Sequence, residues 1–380
     1  MRRLRLIAAA ALLLLLAGCK GSKTNNELYL KAIGIDYKDG IYTMYVQMLD
    51  FAGESKSETG TVSGKQIPIW TGHGSGKSIG DANAKLMNSS QQPMDFSHVS
   101  ALLLTEGALK AMSSRDISEL IAGYPESRMN VWMFGTRHKL DDIFITKSFF
   151  NLSNTTTLLH SPEASYSQKS DIEPVFLFKL LRELQHPAIN GYVPELMLEE
   201  RAWEKDEKPH PELKVAGAFF FRQAAYETRL PIGQLEGWHW MNPHMEQYLI
   251  EIVHDGVDYG YGSFTRTKIK LRLKEDEQGE PAFEARVHVK GVLMTRNTQS
   301  PMAEVEEAAA KMIEAQIVST YRSALSRKID IFELEELYYR KHPREWQERT
   351  DGGAKTLLKP DSLRLAEVRV DLESPGKYKP

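Results

Sequence analysis

Cysteine occurs once in this 380-residue chain, at position 19, so no intrachain disulfide can staple the fold. Whatever structure forms must be held by packed apolar cores. The position of Cys19 adds a second constraint. Arg2, Arg3 and Arg5 precede Leu6 through Ala17, a run with hardly a polar side chain, and the stretch closes on Leu16-Ala17-Gly18-Cys19. That is a basic n-region, an apolar h-region and a small-residue cleavage site, the pattern of a secretory leader. An apolar run of about a dozen residues falls short of the roughly 20 that span a bilayer. A cysteine at the cleavage point supplies a thiol for diacylation. The expectation is therefore a lipoprotein signal peptide over 1–18, with Cys19 as the lipid-attachment residue at the outer face of a bacterial membrane. Acylation of Cys19 leaves no thiolate for a zinc site or a nucleophile.

The remainder, about 360 residues, has room for two or three domains. A hydrophobic content of 42% and a charged content of 26% are those of a globular chain. The net charge of −3 argues against a nucleic-acid partner, which needs a basic face. No later segment has the length and apolarity of a membrane span, so the lipid is the expected attachment.

Residues 19–27 are polar and read as a tether. Leu28 to Asp36 and Ile41 to Phe51 are strand-like, and Asp39-Gly40 between them favours a tight hairpin, because glycine accepts positive φ without steric cost. Tyr42, Met44, Val46 and Met48 share one strand face. Residues 52–66 read as a surface loop. Helical spacing over Lys77–Asn88, a β-like run over His98–Thr105, helical patterns at Leu109–Met112 and Ile117–Ile121, and a strand at Val131–Arg137 predict alternating α and β elements. A helix follows at Val175–Gln185. Residues 199–211, with two prolines and Glu204-Lys205-Asp206-Glu207-Lys208, read as a linker.

The second region opens with a strand at Leu213–Phe221. Thr265 to Lys274 alternates cleanly, with Ile269, Leu271 and Leu273 on one side and Lys268, Lys270, Arg272 and Lys274 on the other. Phe283, Ala285, Val287 and Val289 repeat the pattern. One-sided strands suit an antiparallel sheet with one wet face, and the lysines are assigned to it. Ser300-Pro301 predicts a helix start, serine as N-cap and proline in the first turn. Apolar spacing from Val305 to Leu325 sustains that helix for about 25 residues, roughly 40 Å. A second helix covers Phe332–Tyr339, ending near Pro343. In the last strand, Leu363–Leu372, the apolar parity changes between Leu365 and Val368, which predicts a bulge or a register error. The fold class is α+β or mixed α/β, multi-domain, with central antiparallel or mixed sheets flanked by helices and a C-terminal β-β-α-α-β module. The expected division is 28–198, a linker at 199–211, then 212–373 with possible subdomains 212–262 and 263–373, and a tail at 374–380.

No catalytic constellation emerges. Gly74-Ser75-Gly76-Lys77-Ser78 resembles a phosphate loop, but the pattern needs glycine where Thr71 stands. The plain reading is a flexible loop ending where Ser75 or Ser78 caps a helix. Trp238-His239-Trp240 with His244 and His254 reads as the closure of a small core, with an exposed partner contact as the alternative, and no His-Glu-x-x-His helix supports a metal. Asp141-Asp142 and Glu335-Glu336 read as solvated faces rather than a glycosidase pair. Catalytic, cofactor and metal residues are expected to be none.

Ile329-Asp330-Ile331-Phe332, then Tyr339-Arg340-Lys341-His342-Pro343 and Trp346, resemble the Ger(x)C family of spore germination lipoproteins, the C subunits of nutrient germinant receptors. Lys31-Ala32-Ile33-Gly34-Ile35-Asp36, Lys77-Ser78-Ile79, Phe96-Ser97-His98, Gly217-Ala218-Phe219-Phe220 and Gly233-Gln234-Leu235 extend the resemblance in order along the chain. Three departures mark a divergent member. Lys20-Gly21 replace Trp-Asp after the cysteine, Glu333-Leu334-Glu335 stand where the family usually has glycines, and the chain ends without an Arg-rich stretch. The resemblance implies a non-enzymatic subunit beside multispanning A-type and B-type receptor subunits on the outer leaflet of the spore inner membrane. It implies no cofactor, and only Cys19 carries over as a functional position. The alternative is a substrate-binding lipoprotein of a transporter.

Overall fold

The computed structural model describes residues 27–48, 50, 68–122, 129–275 and 278–373. The leader, Cys19, the 52–66 loop and the 374–380 tail lie outside the described residues. Strands β1 (Leu28–Lys38) and β2 (Ile41–Met48) pair antiparallel. Asp39 at φ 51° and Gly40 at φ 81° close their two-residue turn in the mirror-image geometry that matches strand twist. Met44 and Val46 enter the core, with Tyr42 and Met48 at its margin.

Strand β3 (Trp70–Gly76) adds to β2, and helix α1 (Ile79–Ser89) folds back over it. A Cβ at Gly74 would stand 2.4 Å from the Ala82 carbonyl oxygen, and one at Gly76 2.6 Å from the Ala82 nitrogen. The segment expected as a flexible loop is thus an edge strand whose glycines admit a helix backbone. Ser78, not Ser75, caps α1, its hydroxyl accepting from the Asp81 N–H at 3.1 Å. Ser75 instead meets the Thr43 hydroxyl.

Strand β4 (Ala101–Thr105), helices α2 (Glu106–Ala111) and α3 (Ser114–Ala122), strand β5 (Trp132–Thr136), helices α4 (Leu140–Phe144), α5 (Pro162–Gln168) and α6 (Leu177–Gln185), and strand β6 (Tyr192–Glu199) follow. β1, β4, β5 and β6 run parallel at the centre of the sheet. Ala101 through Leu104 are all fully buried, as a parallel strand covered on both faces requires. Strands β7 (Glu212–Arg222) and β8 (Ala225–Pro231) complete the order β8-β7-β6-β5-β4-β1-β2-β3.

The expected linker, 199–211, does not separate two sheets. It carries a small ribbon, Glu204–Lys205 against Lys208–Pro209, between two strands that pair directly, Leu213 opposite Leu198 and Phe219 opposite Val193. The apolar run Ala216–Phe221 is buried along its whole length, so the first sheet, not the second region, claims it.

Strands β9 (Tyr248–His254), β10 (Val257–Glu275), β11 (Pro281–Arg296) and β12 (Leu363–Glu373) form the second sheet, antiparallel except for the β11–β12 pair. The expected subdivision at 262/263 falls inside β10. The predicted bulge in β12 is real: Leu365 pairs with Ala285 and Glu367 with Arg286, leaving Ala366 as the extra residue. Helix α7 (Met302–Leu325) lies against β9 and β12 through Val305, Ala309, Ile313, Ile317 and Tyr321. Its N-cap is Pro301, one residue beyond the predicted Ser300, and no side chain caps it. Helices α8 (Leu334–Lys341) and α9 (Pro343–Thr350) follow, Pro343 starting a helix rather than merely ending one.

Candidate functional site

Where the two sheets meet, α6 faces α8 across a cleft of ≈ 670 Å³. Leu177, Leu180, Leu181 and Leu184 seat α6 on the sheet, which brings Lys179 and Glu183 to the cleft wall. Glu173 lies at one end, reached by Lys179 Nζ at 3.3 Å and by the Asn242 side-chain amide at 3.1 Å. Trp238 stands edge-on to Tyr192 with ring centroids 4.7 Å apart. On the opposite wall Glu336 pairs with Arg340, and Glu333 holds φ 54° at the start of α8. Among the described residues no serine, threonine or cysteine lines the cleft.

Glu183 is the singular group here. It is 5% exposed, and its Oε2 has no hydrogen-bond partner among the described residues. Burial pushes its carboxyl up to about 7, with Lys179 opposing and Glu333 adding to the shift. Sequence reasoning missed it. The available signal was a glutamate three residues after Leu180 and next to Leu184, on the apolar stripe of an amphipathic helix.

The glutamates Glu335 and Glu336, expected on a solvated face, are 7% and 8% exposed. The reason is a buried polar network. Asp330 Oδ2 accepts from the Glu335 N–H at 2.7 Å, while the Asp330 N–H donates to Asn190 Oδ1 at 2.8 Å. Glu335 accepts from Trp346 Nε1 at 3.1 Å, from the Leu357 N–H at 2.9 Å and from the Thr356 hydroxyl. Burial, with Glu335 adding, pushes the Asp330 carboxyl up to about 8. The Ile-Asp-Ile-Phe and Trp346 motif residues are therefore the knot that joins α8 and α9 to the first sheet. Asp141 and Asp142 are exposed.

The histidines do not converge. His239 stacks on Tyr248 at 3.5 Å between centroids, and burial holds its imidazole well below the usual range. Trp240 is fully buried and donates to Gln316 Oε1 at 2.7 Å. His244 sits 3.5 Å from Glu173, and His254 lies 3.3 Å from Asp255. Trp238-His239-Trp240 closes the core between the sheets. Among the described residues no group of three His, Cys, Asp or Glu side chains is placed to hold a metal ion.

A mixed α/β sheet joined to an α+β module, with a polar cleft at the junction, defines a multi-domain α+β scaffold. Two family models match it in sequence order: the spore germination protein N-terminal domain over residues 23–198, and the spore germination B3/GerAC-like C-terminal domain over 216–353. The chain belongs to this Ger(x)C, or GerAC-like, family of spore germination proteins. It is 23% identical to spore germination protein KC of Bacillus subtilis (strain 168), across 95% of this chain and 91% of that one. The crystal structure of the GerBC protein shares the fold, with a TM-score of 0.50 at 14% identity, covering 90% of this chain and 97% of that chain.

Proposed function

We propose that this chain is the lipid-anchored, non-catalytic C subunit of a spore nutrient germinant receptor. It supports assembly and germinant signalling beside multispanning A-type and B-type subunits, held by Cys19 on the outer face of the spore inner membrane. The observation that carries this reading is the order of features on one chain: Leu16-Ala17-Gly18-Cys19, then the N-terminal and C-terminal family domains. Among the described residues no helix is long and apolar enough to cross a membrane. Two acyl chains on Cys19 hold a protein firmly where one binds only marginally. Cys19→Ala is expected to release the protein from the membrane fraction and abolish the nutrient response without changing its thermal unfolding. Spores carrying Cys19→Ala that retain both attachment and response would overturn the proposal.

The cleft between α6 and α8 favours a second reading, a substrate-binding lipoprotein of a transporter. Saturable solute binding by calorimetry, abolished by substitution of Glu183, would support it. Against it, the two sheets differ in build, whereas such binders usually pair similar lobes.

A further inference from the structure

The outward face of the second sheet concentrates positive charge in a chain whose net charge is −3. Thr267, Ile269, Leu271 and Leu273 turn inward from β10, so the residues between them face solvent. Register then sets like charges side by side. Arg266 is opposite Lys290, and Lys270 is opposite Arg286, while on the other flanking strand Lys290 faces Asp371 and Arg286 faces Glu367. Between these rows, Lys268, His288 and Arg369 align across three strands. Arg272 and Arg364 flank a single carboxylate, Glu284, which is already engaged by Lys274 and lies 3.8 Å from Arg286. Asp371 is shared in the same way by His288 at 2.7 Å and Arg369 at 2.9 Å. Arg266, Lys268, Lys270 and Lys290 have no ion-pair partner within 4 Å among the described residues.

Like charges directly opposite on a sheet destabilise it. Glu367 and Asp371 offset part of that repulsion, yet cations outnumber carboxylates on the outward side of these three strands, so the face keeps a net positive charge. No large apolar side chain is exposed along Arg266–Lys274 or its partners on β11 and β12 from Pro281 to Lys290 and from Leu363 to Asp371. A protein–protein interface has a desolvated, more apolar centre with depleted charge, and this basic stretch has none, the exposed Met294 and Tyr261 lying beyond its end. A plane of phosphates needs no such centre. It offers diffuse negative charge, attracts Lys and Arg additively and tolerates flexible side chains.

We propose that the outward face of β10, β11 and β12 docks on an anionic lipid headgroup layer. This orients the chain on the membrane to which Cys19 would tether it. The proposal rests on the membrane-anchored reading above, and its test separates the two.

The full chain, carrying its acyl anchor, is titrated with vesicles of phosphatidylcholine alone and of phosphatidylcholine with about one quarter phosphatidylglycerol. The anchor inserts equally into both, so the ratio of affinities reports the sheet whether or not acylation succeeds. The expected preference for anionic vesicles is about tenfold or more at low salt, collapsing as salt screens it. Lys268→Gln/Lys270→Gln/Arg286→Gln/Lys290→Gln is expected to bring the two affinities within about twofold. Its unfolding midpoint should stay close to that of the wild type, because removing two like-charge pairs is offset by removing Arg286 and Lys290 from beside Glu367 and Asp371. Equal binding of the wild type to both vesicles, or a full anionic preference in the folded variant, would overturn the proposal. So would unchanged vesicle binding together with loss of binding to polyglutamate, which would make an acidic polypeptide the occupant.

Discussion

The indole Nε1 of Trp346 donates to a carboxylate oxygen of Glu335 at 3.1 Å, with both side chains buried. The other oxygen accepts the Leu357 N–H at 2.9 Å. One carboxylate thus ties α8, α9 and the approach to β12. Glu335→Ala leaves three donors without an acceptor and is expected to cost about 3 kcal/mol, read as a lower urea midpoint at unchanged slope. Glu335→Gln should cost less, since the amide oxygen still accepts.

Glu183 makes stability pH-dependent in a defined sense. Its folded carboxyl titrates near 7, against an ordinary value of 4.5. The folded state therefore holds the proton more firmly than the unfolded chain. Stability is full where both states are protonated and is lost as pH rises through that interval. Glu183→Gln keeps the neutral form, so it should match the wild type at about pH 4 and exceed it by about 1–3 kcal/mol at about pH 8. Chemical denaturation at the two pH values checks this, and a variant less stable at the higher pH would show that Glu183 is ionised and paired.

Gly74→Ala should destabilise by about 2 kcal/mol or more, because its methyl would meet the Ala82 carbonyl oxygen at 2.4 Å with backbone on both sides. The same substitution should leave no nucleotide-binding signal to lose. Saturable ATP binding by the wild type would contradict the packing role assigned to the glycines.

Glu333 holds φ 54° where the resemblance places glycine, so the turn before α8 keeps its left-handed geometry without the residue suited to it. That conformation costs a non-glycine residue roughly 1–2 kcal/mol, partly offset in glycine by about 0.5–1 kcal/mol of extra chain entropy. Glu333→Gly is expected to raise the thermal midpoint slightly, by about 0.5–1 kcal/mol of stability. A lowered midpoint would mean that the side chain contributes contacts worth more than the strain.

Local patterns carried much of the fold. The Asp39-Gly40 hairpin, the one-sided strands from Thr265 to Val289, the α7 stripe and the Ala366 bulge all express rules acting within a few residues. What escaped depends on distant partners. Glu335 looks solvated beside Glu336 until Trp346 and Leu357, 11 and 22 residues away, fold over it. Glu183 is an ordinary surface glutamate in sequence and becomes singular only when α8 closes the cleft. Residues 199–211 have a linker's composition, and no short-range rule distinguishes a domain boundary from a decorated strand connection. Of the candidate site, the motif around Asp330 and Trp346 was legible as a family mark, while its polar network was not.

The pairing of β6 with β7 bears on how such chains can be cut and recombined. The two family domains meet across 199–215, yet a break there would strip two strands from the first sheet and leave β6 with a bare hydrogen-bonding edge, a template for aggregation. Fragments or paralogue hybrids joined at that boundary would carry two strands of the first sheet away with the second. A join placed after β8, between Ile232 and Gln247, leaves each sheet with its own strands and is where soluble halves should be sought.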